Sequence, residues 1–319
     1  MEANLHDETD RTSLPLRGRA RWATGAIGVA IGLGAGLLSL TPWLLTGGTL
    51  PLQNLWAVPT MPEDMPFSLL PLSQYELVNL VSLLISGGAT AALVFLVWRP
   101  ARRRAAFWAV ASGLASAQLI TVVQSFLVLH AGLGLGPGAH RFAEIYFYGM
   151  LFGVLATVIV SLAVYWLLTS RSPNKIAVGA AVGAPPVAWW LFSWLDLTLA
   201  GLLVPFSIFQ LWLPAVAVGV ALARLEWRSL RGGFAWALSL AVLWVSGPMA
   251  WAVMRVASSR AEVGRPGQFE AGLEALSVNL IEQLPAVAVA LAVGIAGAAQ
   301  CRRRFTGGDR DPAGRVSSE

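Results

Sequence analysis

Few residues in this chain are placed to do chemistry, and the costliest to place is Glu282. It falls inside an apolar run over 276–300, roughly 10 Å along a helix from the start of that run at about 1.5 Å per residue. A carboxylate there needs a partner, a water-filled cavity or a raised pKa. Asn279 and Gln283 stand three before it and one after it, and Pro285 follows at once, so a polar arc and a helix breaker share one place. A second apolar run, 76–98, carries Asn79, Ser82, Ser86 and Thr90 at spacings of three and four, which makes one narrow polar stripe along a helix. Val78-Asn79-Leu80 in that run recurs as Val278-Asn279-Leu280. Two such faces could line a polar pathway for a small solute, with Glu282, Asn279, Gln283, Asn79 and Ser82 as its binding residues. The alternative is an interhelical hydrogen-bond cluster in which Glu282 pairs with Arg255.

The other polar candidates have structural explanations. Ser73 and Glu76 have the spacing of a capping box, Glu144 suits the first turn of a helix, and Asp196 suits a cap on the run that follows it. His130, His140 and Glu144 share one connection, with His140 and Glu144 four apart as in zinc sites, but Ala131 to Ala139 supplies no further ligand. No metal and no cofactor is expected. HExxH, GxSxG, a glycine loop followed by Lys and paired CxxC are all absent, which weighs against an enzyme. Cys301 is the single cysteine, so no intrachain disulfide can form. Glu63-Asp64, in the first long connection, is similar to the acidic motif of membrane glycosyltransferases that use polyprenyl-phosphate sugars. The resemblance covers those two residues and implies carboxylates that bind a metal or act as a base.

The elements that must position these residues are hydrophobic helices. Of 319 residues, 56% are hydrophobic and 12% charged, with a mean hydropathy of +0.65. A soluble domain carries roughly a quarter charged residues, so the surface of this chain requires lipid. Eight runs are long enough to cross a bilayer as helices: 22–45, 76–98, 105–130, 144–169, 176–195, 199–222, 233–256 and 276–300. The first exceeds the roughly 7 to 15 apolar residues of a cleavable signal peptide and reads as a retained anchor. The expected fold is an all-α integral membrane protein with eight transmembrane helices over 22–300. Disordered cytoplasmic tails at 1–21 and 301–319 and a Pro-rich outer loop at 46–75 complete it. Leu213-Pro-Ala-Val-Ala-Val218 recurs as Leu284-Pro-Ala-Val-Ala-Val289, and Pro186-Val-Ala-Trp189 as Pro248-Met-Ala-Trp251. These matches suggest a parallel repeat of two-helix hairpins.

Charge supplies the orientation. With the N-terminus inside, only Arg141, Arg255, Arg260 and Arg265 of the 22 basic residues fall outside, so both termini are expected in the cytoplasm of a bacterial inner membrane. The near absence of lysine, with Lys175 alone, points to a high-GC bacterial genome. Basic residues sit in short clusters after helices rather than in one patch, so the net charge of +5 does not indicate a nucleic acid partner. Two interfacial belts, with Trp22, Trp98, Trp108, Trp166 and Trp236 inside and Trp43, Trp194 and Trp251 outside, account for most of the tryptophan. Gly28, Gly32 and Gly36, and Gly179 and Gly183, recur at spacing four, which suits close helix packing or a homo-oligomer contact. The chain thus reads as a small-solute permease or channel-like component. A non-catalytic membrane subunit or scaffold that packs on a membrane protein partner is the alternative, and the polyprenyl-phosphate glycosyltransferase a second one.

Overall fold

The computed structural model describes residues 13–52, 55–98, 103–199, 208–226, 229–258 and 266–307. Among them the backbone is helical apart from turns and one long loop, with a single isolated antiparallel bridge between Thr49 and Phe67. Hydrocarbon offers no hydrogen-bond partner, so an apolar chain must satisfy its backbone within each segment, and helix does this. The helices are α1 (Ser13–Leu45), α2 (Leu77–Trp98), α3 (Arg103–Gly132), α4 (Arg141–Leu168), α5 (Pro173–Leu199), α6 (Leu213–Leu222), α7 (Leu230–Ser258), α8 (Pro266–Glu282) and α9 (Leu284–Gly307). A π-helical turn, Ile208–Trp212, leads into α6.

Among the described residues, seven helical stretches are long and apolar enough to cross a membrane: Ala23–Leu45, Leu77–Trp98, Arg103–Gly132, Arg141–Leu168, Pro173–Thr198, Leu230–Ala257 and Phe269–Gln300. The chain is a multi-pass membrane protein. The count differs from the eight that hydropathy predicts. Of the sixth run, 199–222, the described residues form only a short apolar helix over Gln210–Leu222, and 200–207 lie outside them. The last run extends further back than 276, because helix begins at Pro266 and is interrupted at Gln283. Segments 1–21 and 301–319, expected as disordered tails, contain helix at 13–21 and 301–307, while 1–12 and 308–319 lie outside the described residues.

The chain forms two compact units. The first comprises α1, α2 from Leu83, α3, α4 to Tyr165, and the loop after α1. Its closest helix pair follows from glycine. A Cβ on Gly28 would stand 2.7 Å from the Ala109 Cβ, one on Gly36 would stand 2.7 Å from the Ala117 Cβ, and one on Gly32 would overlap the Val110 carbonyl. Gly113 of α3 receives the Val29 carbonyl in return. The small-residue stripe of α1 is therefore covered by α3 of the same chain, which is how membrane helices pack when lipid competes equally for apolar surface.

The loop after α1 packs down on helix ends. Gly47 and Gly48 turn the chain at φ 109° and 61°, and the Phe67 ring occupies the space a Gly48 side chain would fill. Leu50, Met65, Leu70 and Leu72 are buried. The Trp43 indole donates to the Ser68 carbonyl (2.9 Å), and the Tyr146 hydroxyl to the Leu72 carbonyl (3.1 Å). The Leu69 and Leu70 N–H groups donate to Gln124 Oε1 and Ser125 Oγ, each at 2.9 Å. A segment too rich in proline for helix obtains its backbone partners from α3 and α4 in this way.

The second unit comprises 73–82 and the chain from Trp166. Both copies of Leu-Pro-Ala-Val-Ala-Val open a helix, with Pro214 and Pro285 in first turns where a missing N–H costs nothing. These two helices, α6 and α9, pack face to face. A Cβ on Gly219 would stand 2.7 Å from the Val293 Cβ, and one on Gly297 2.5 Å from the Ala223 Cβ. Pro186 and Pro248, from the other matched pair, lie inside α5 and α7, which also pack together. The core is built of small residues, with Ala177, Ala181, Ala215, Ala286 and Ala290 around Val218, Leu222 and Leu243. Trp236, read from sequence as an interfacial residue, is buried at 8% exposure with its ring against Gly294. Asp196 lies within α5 near its end, and the start of the run it is expected to cap, 200–207, lies outside the described residues.

The α1–α3 contact leads to a direct comparison. Gly32→Ala should destabilise the folded protein by about 1 to 3 kcal/mol, the usual cost of overpacking, whereas Gly34→Ala, with nothing near its Cβ, should change stability by less than about 0.5 kcal/mol. Thermal unfolding of both variants in one detergent measures the difference.

Candidate functional site

The break between α8 and α9 gathers three of the five residues singled out from sequence. Asn279 and Glu282 occupy the last turn of α8, and Gln283 is the one non-helical residue between the helices. Pro285 has no N–H to offer the Ile281 carbonyl four residues earlier, so the α-helical ladder stops there. Side chains complete part of what the backbone leaves open. The Trp244 indole of α7 donates to the Leu280 carbonyl at 2.8 Å, and the Gln283 carboxamide donates back to the Leu243 carbonyl at 3.5 Å. The Gln283 carboxamide oxygen lies 3.7 Å from where a Gly247 side chain would begin, and Pro248 follows. Helix breakers on α7 and at the α8–α9 junction therefore face each other. Asn279 is tied to the Ala275 carbonyl of its own helix (2.7 Å), and Glu282 is exposed.

The face of α7 that meets this break is unusual. Trp236 Nε1, Ser239 Oγ and Ser246 Oγ are buried and have no hydrogen-bond partner among the described residues. With Leu243 and Gly247 they recur at intervals of three and four, so they share one face of α7, and Ser246 immediately precedes the glycine beside Gln283. Most buried polar groups in native proteins are paired, and three unpaired ones in a row along a helix require a reason. Ser239 and Ser246 do not stand out in the sequence, and Trp236 reads there as one of the interfacial tryptophans. A serine is unremarkable in an apolar run, and only the 3–4 spacing of Trp236, Ser239, Leu243 and Ser246 signals a common face.

Asn79 and Ser82 form a local group at the start of α2. Asn79 Nδ2 donates to Glu76 Oε2 at 3.4 Å, and Ser82 Oγ to the Asn79 carbonyl at 2.7 Å. The capping box expected there is only half made: the Ser73 hydroxyl accepts from the Tyr75 N–H, while the Glu76 carboxylate turns to Asn79. Burial pushes the Glu76 carboxyl, one residue ahead of the span, above its ordinary pKa, and the Asn79 bond acts against that rise. The polar stripe of α2 continues with Ser86, whose hydroxyl is buried and unpartnered.

In the first unit a polar knot absent from the sequence reading holds three helices. Gln118 Nε2 of α3 donates to the Leu84 carbonyl of α2 and to Ser161 Oγ of α4, both at 2.8 Å, and Ser161 Oγ donates to the same carbonyl at 2.7 Å. Gly88 admits α4 this closely, since a Cβ there would overlap the Ser161 carbonyl. Other sequence candidates stand apart. Glu63 and Asp64 lie on a short 3-10 turn, Pro62–Asp64, with no buried residue. His140 Nδ1 accepts from the Phe142 N–H (3.3 Å), and His130 packs edge-on to Phe147. Among the described residues no three His, Cys, Asp or Glu side chains converge as a metal site would require.

Comparison of the chain with profiles of protein families, with curated proteins and with solved structures found no match in any of the three.

Trp244→Phe removes the N–H that closes the Leu280 carbonyl while keeping an aromatic ring. It should cost about 0.6 kcal/mol and at most about 1.7 kcal/mol, the range for interhelical hydrogen bonds in membranes. Backbone amide exchange at Ala286 and Val287, which bond to the Gln283 carbonyl, should accelerate in that variant. Unchanged exchange there would show that the indole does not hold the break.

Proposed function

We propose that the chain is a small-solute permease of a bacterial inner membrane, with its solute path along the buried face of α7 and its binding point at the α8–α9 break. The observation that carries this reading is the row of unpartnered polar atoms, Trp236 Nε1, Ser239 Oγ and Ser246 Oγ, that leads to Gln283. In a dry structural core such atoms are pure cost, about 1 to 3 kcal/mol each. In a path they are the groups that a solute or its water would satisfy. A helix broken inside a span is also how secondary transporters expose backbone groups and side chains to a solute. Glu282 adds a carboxylate, and with it a preference for solutes that carry a cationic group. Its exposure within an apolar span supports an aqueous or protein neighbour rather than lipid. Asn79 and Ser82, the other two residues that the sequence suggests for binding, make local bonds at the start of α2.

Purified protein in liposomes should take up members of a panel of small amines and cations faster than empty liposomes, and Glu282→Gln should lower that uptake at least tenfold. Ser239→Ala separates path from scaffold. It removes an unpaired hydroxyl, so it should leave thermal stability unchanged or raise it by up to about 1 kcal/mol, yet slow uptake. No uptake above empty liposomes across the panel, or full uptake by Glu282→Gln, would sink the reading.

The proposed topology has eight spans, the sixth over 199–222, both termini in the cytoplasm, and hairpins α5–α6 and α7–α9 descended from one duplicated unit. Pairing of α6 with α9 and of α5 with α7 supports the duplication. Cys301, the single cysteine, supplies the topology test. A membrane-impermeant maleimide should label it in inside-out but not right-side-out vesicles. A cysteine placed at Glu2 in a Cys301→Ser background should label in the same way. Opposite labelling of the two positions would mean an odd number of spans.

A further inference from the structure

We propose that the recess between the first turns of α5 and α7 is a binding site for an anionic phospholipid. This inference rests on the membrane location and not on the transport reading. The recess, of about 500 Å³, is walled mostly by apolar side chains. Ser172, Asn174, Lys175 and Arg231, at or just before the starts of α5 and α7, supply its polar groups, and Val178, Phe234 and Leu238 lie one to two turns further along those helices. Among the described residues no acidic side chain lines it.

The polar groups are brought together by the turns that precede the two helices. Asn174 Nδ2 donates to the Arg231 carbonyl at 3.4 Å, which ties the start of α5 to the start of α7 and brings Lys175 and Arg231 to one mouth. Lys175 Nζ lies 4.4 Å from the centre of the Trp166 ring, so its charge is held at an exposed aromatic side chain of the kind that settles at headgroup level. Both helices begin at this mouth, and their N-terminal dipoles add to the positive field. A phosphate group is the matching ligand chemistry.

The apolar side chains decide in favour of a lipid over a free anion. Phe234 is 70% exposed and Leu238 is exposed beside it, a surface that a hydrated phosphate has no use for and an acyl chain covers. A headgroup at Lys175 and Arg231 with a chain running down Val178, Phe234 and Leu238 uses both the charged and the apolar groups of the recess. Each cation near an anionic headgroup contributes about fivefold to affinity, so the pair should favour an anionic over a zwitterionic lipid about 30-fold.

The test uses the full chain in nanodiscs or mixed micelles, with phosphatidylglycerol and phosphatidylcholine as probes and native mass spectrometry as the readout. Wild type should retain phosphatidylglycerol preferentially. The double variant K175Q/R231Q should lose most of the 30-fold preference, the charge-conserving K175R/R231K should keep it, and R104Q on α3 should leave it unchanged. Both altered side chains are exposed, and a melting curve confirms that the variants fold. Retained preference in K175Q/R231Q, or an equal loss in R104Q, would overturn the proposal. So would competition by inorganic phosphate or glycerol phosphate as effective as the lipid, or a protein chain found bound at this face in place of lipid.

Discussion

A backbone carbonyl that loses its helical partner inside a bilayer has no water to turn to, and much of this structure can be read as a response to that constraint. Where α8 gives way to α9, Trp244 closes the Leu280 carbonyl. Where the loop after α1 cannot be helical, Gln124 and Ser125 receive its N–H groups and Tyr146 donates to one of its carbonyls. These bonds are worth only about 0.6 to 2 kcal/mol each, but leaving the groups open would cost several times as much, so their placement determines which helices must touch.

The same constraint gives the two units different characters. In the first, glycine lets helices approach until backbone meets backbone, and Gln118 with Ser161 locks α2, α3 and α4 around one carbonyl. The Gln118 carboxamide oxygen and the Ser86 hydroxyl remain buried without a partner there, but they lie on different helices. In the second unit the unpaired atoms fall on one face of one helix, and that face ends at a break. Scattered orphans are a local cost of packing. Aligned ones describe a direction, and this alignment is why the second unit carries the functional proposal.

Part of the site was legible beforehand. Glu282, Asn279, Gln283 and Pro285 are conspicuous because a carboxylate, two carboxamides and a proline seldom cluster in an apolar run, and the structure does break the helix there. Ser239 and Ser246 were not legible. Single serines in membrane helices usually return their hydroxyl to a carbonyl of the same helix, as Ser82 does to Asn79, and only the folded neighbourhood reveals that these two do not. Trp236 misled for a related reason. Interfacial and core tryptophans look alike in sequence, and it took Gly294, on a helix some sixty residues away, to make room for this one in the core.

Composition alone determined the class, because 12% charge cannot cover a surface in water, and helices follow from the absence of hydrogen-bonding solvent in lipid. The chain also announced its breaks through proline and its close contacts through glycine, since both act locally through the backbone. The glycine stripe of α1 shows the limit of such signals: the sequence states that something must approach closely, and only the tertiary structure makes that neighbour α3 rather than a second copy of the chain. Likewise, which polar atoms are left without partners depends on what every other helix brings near them. That is a property of the packed whole, and no single segment carries it.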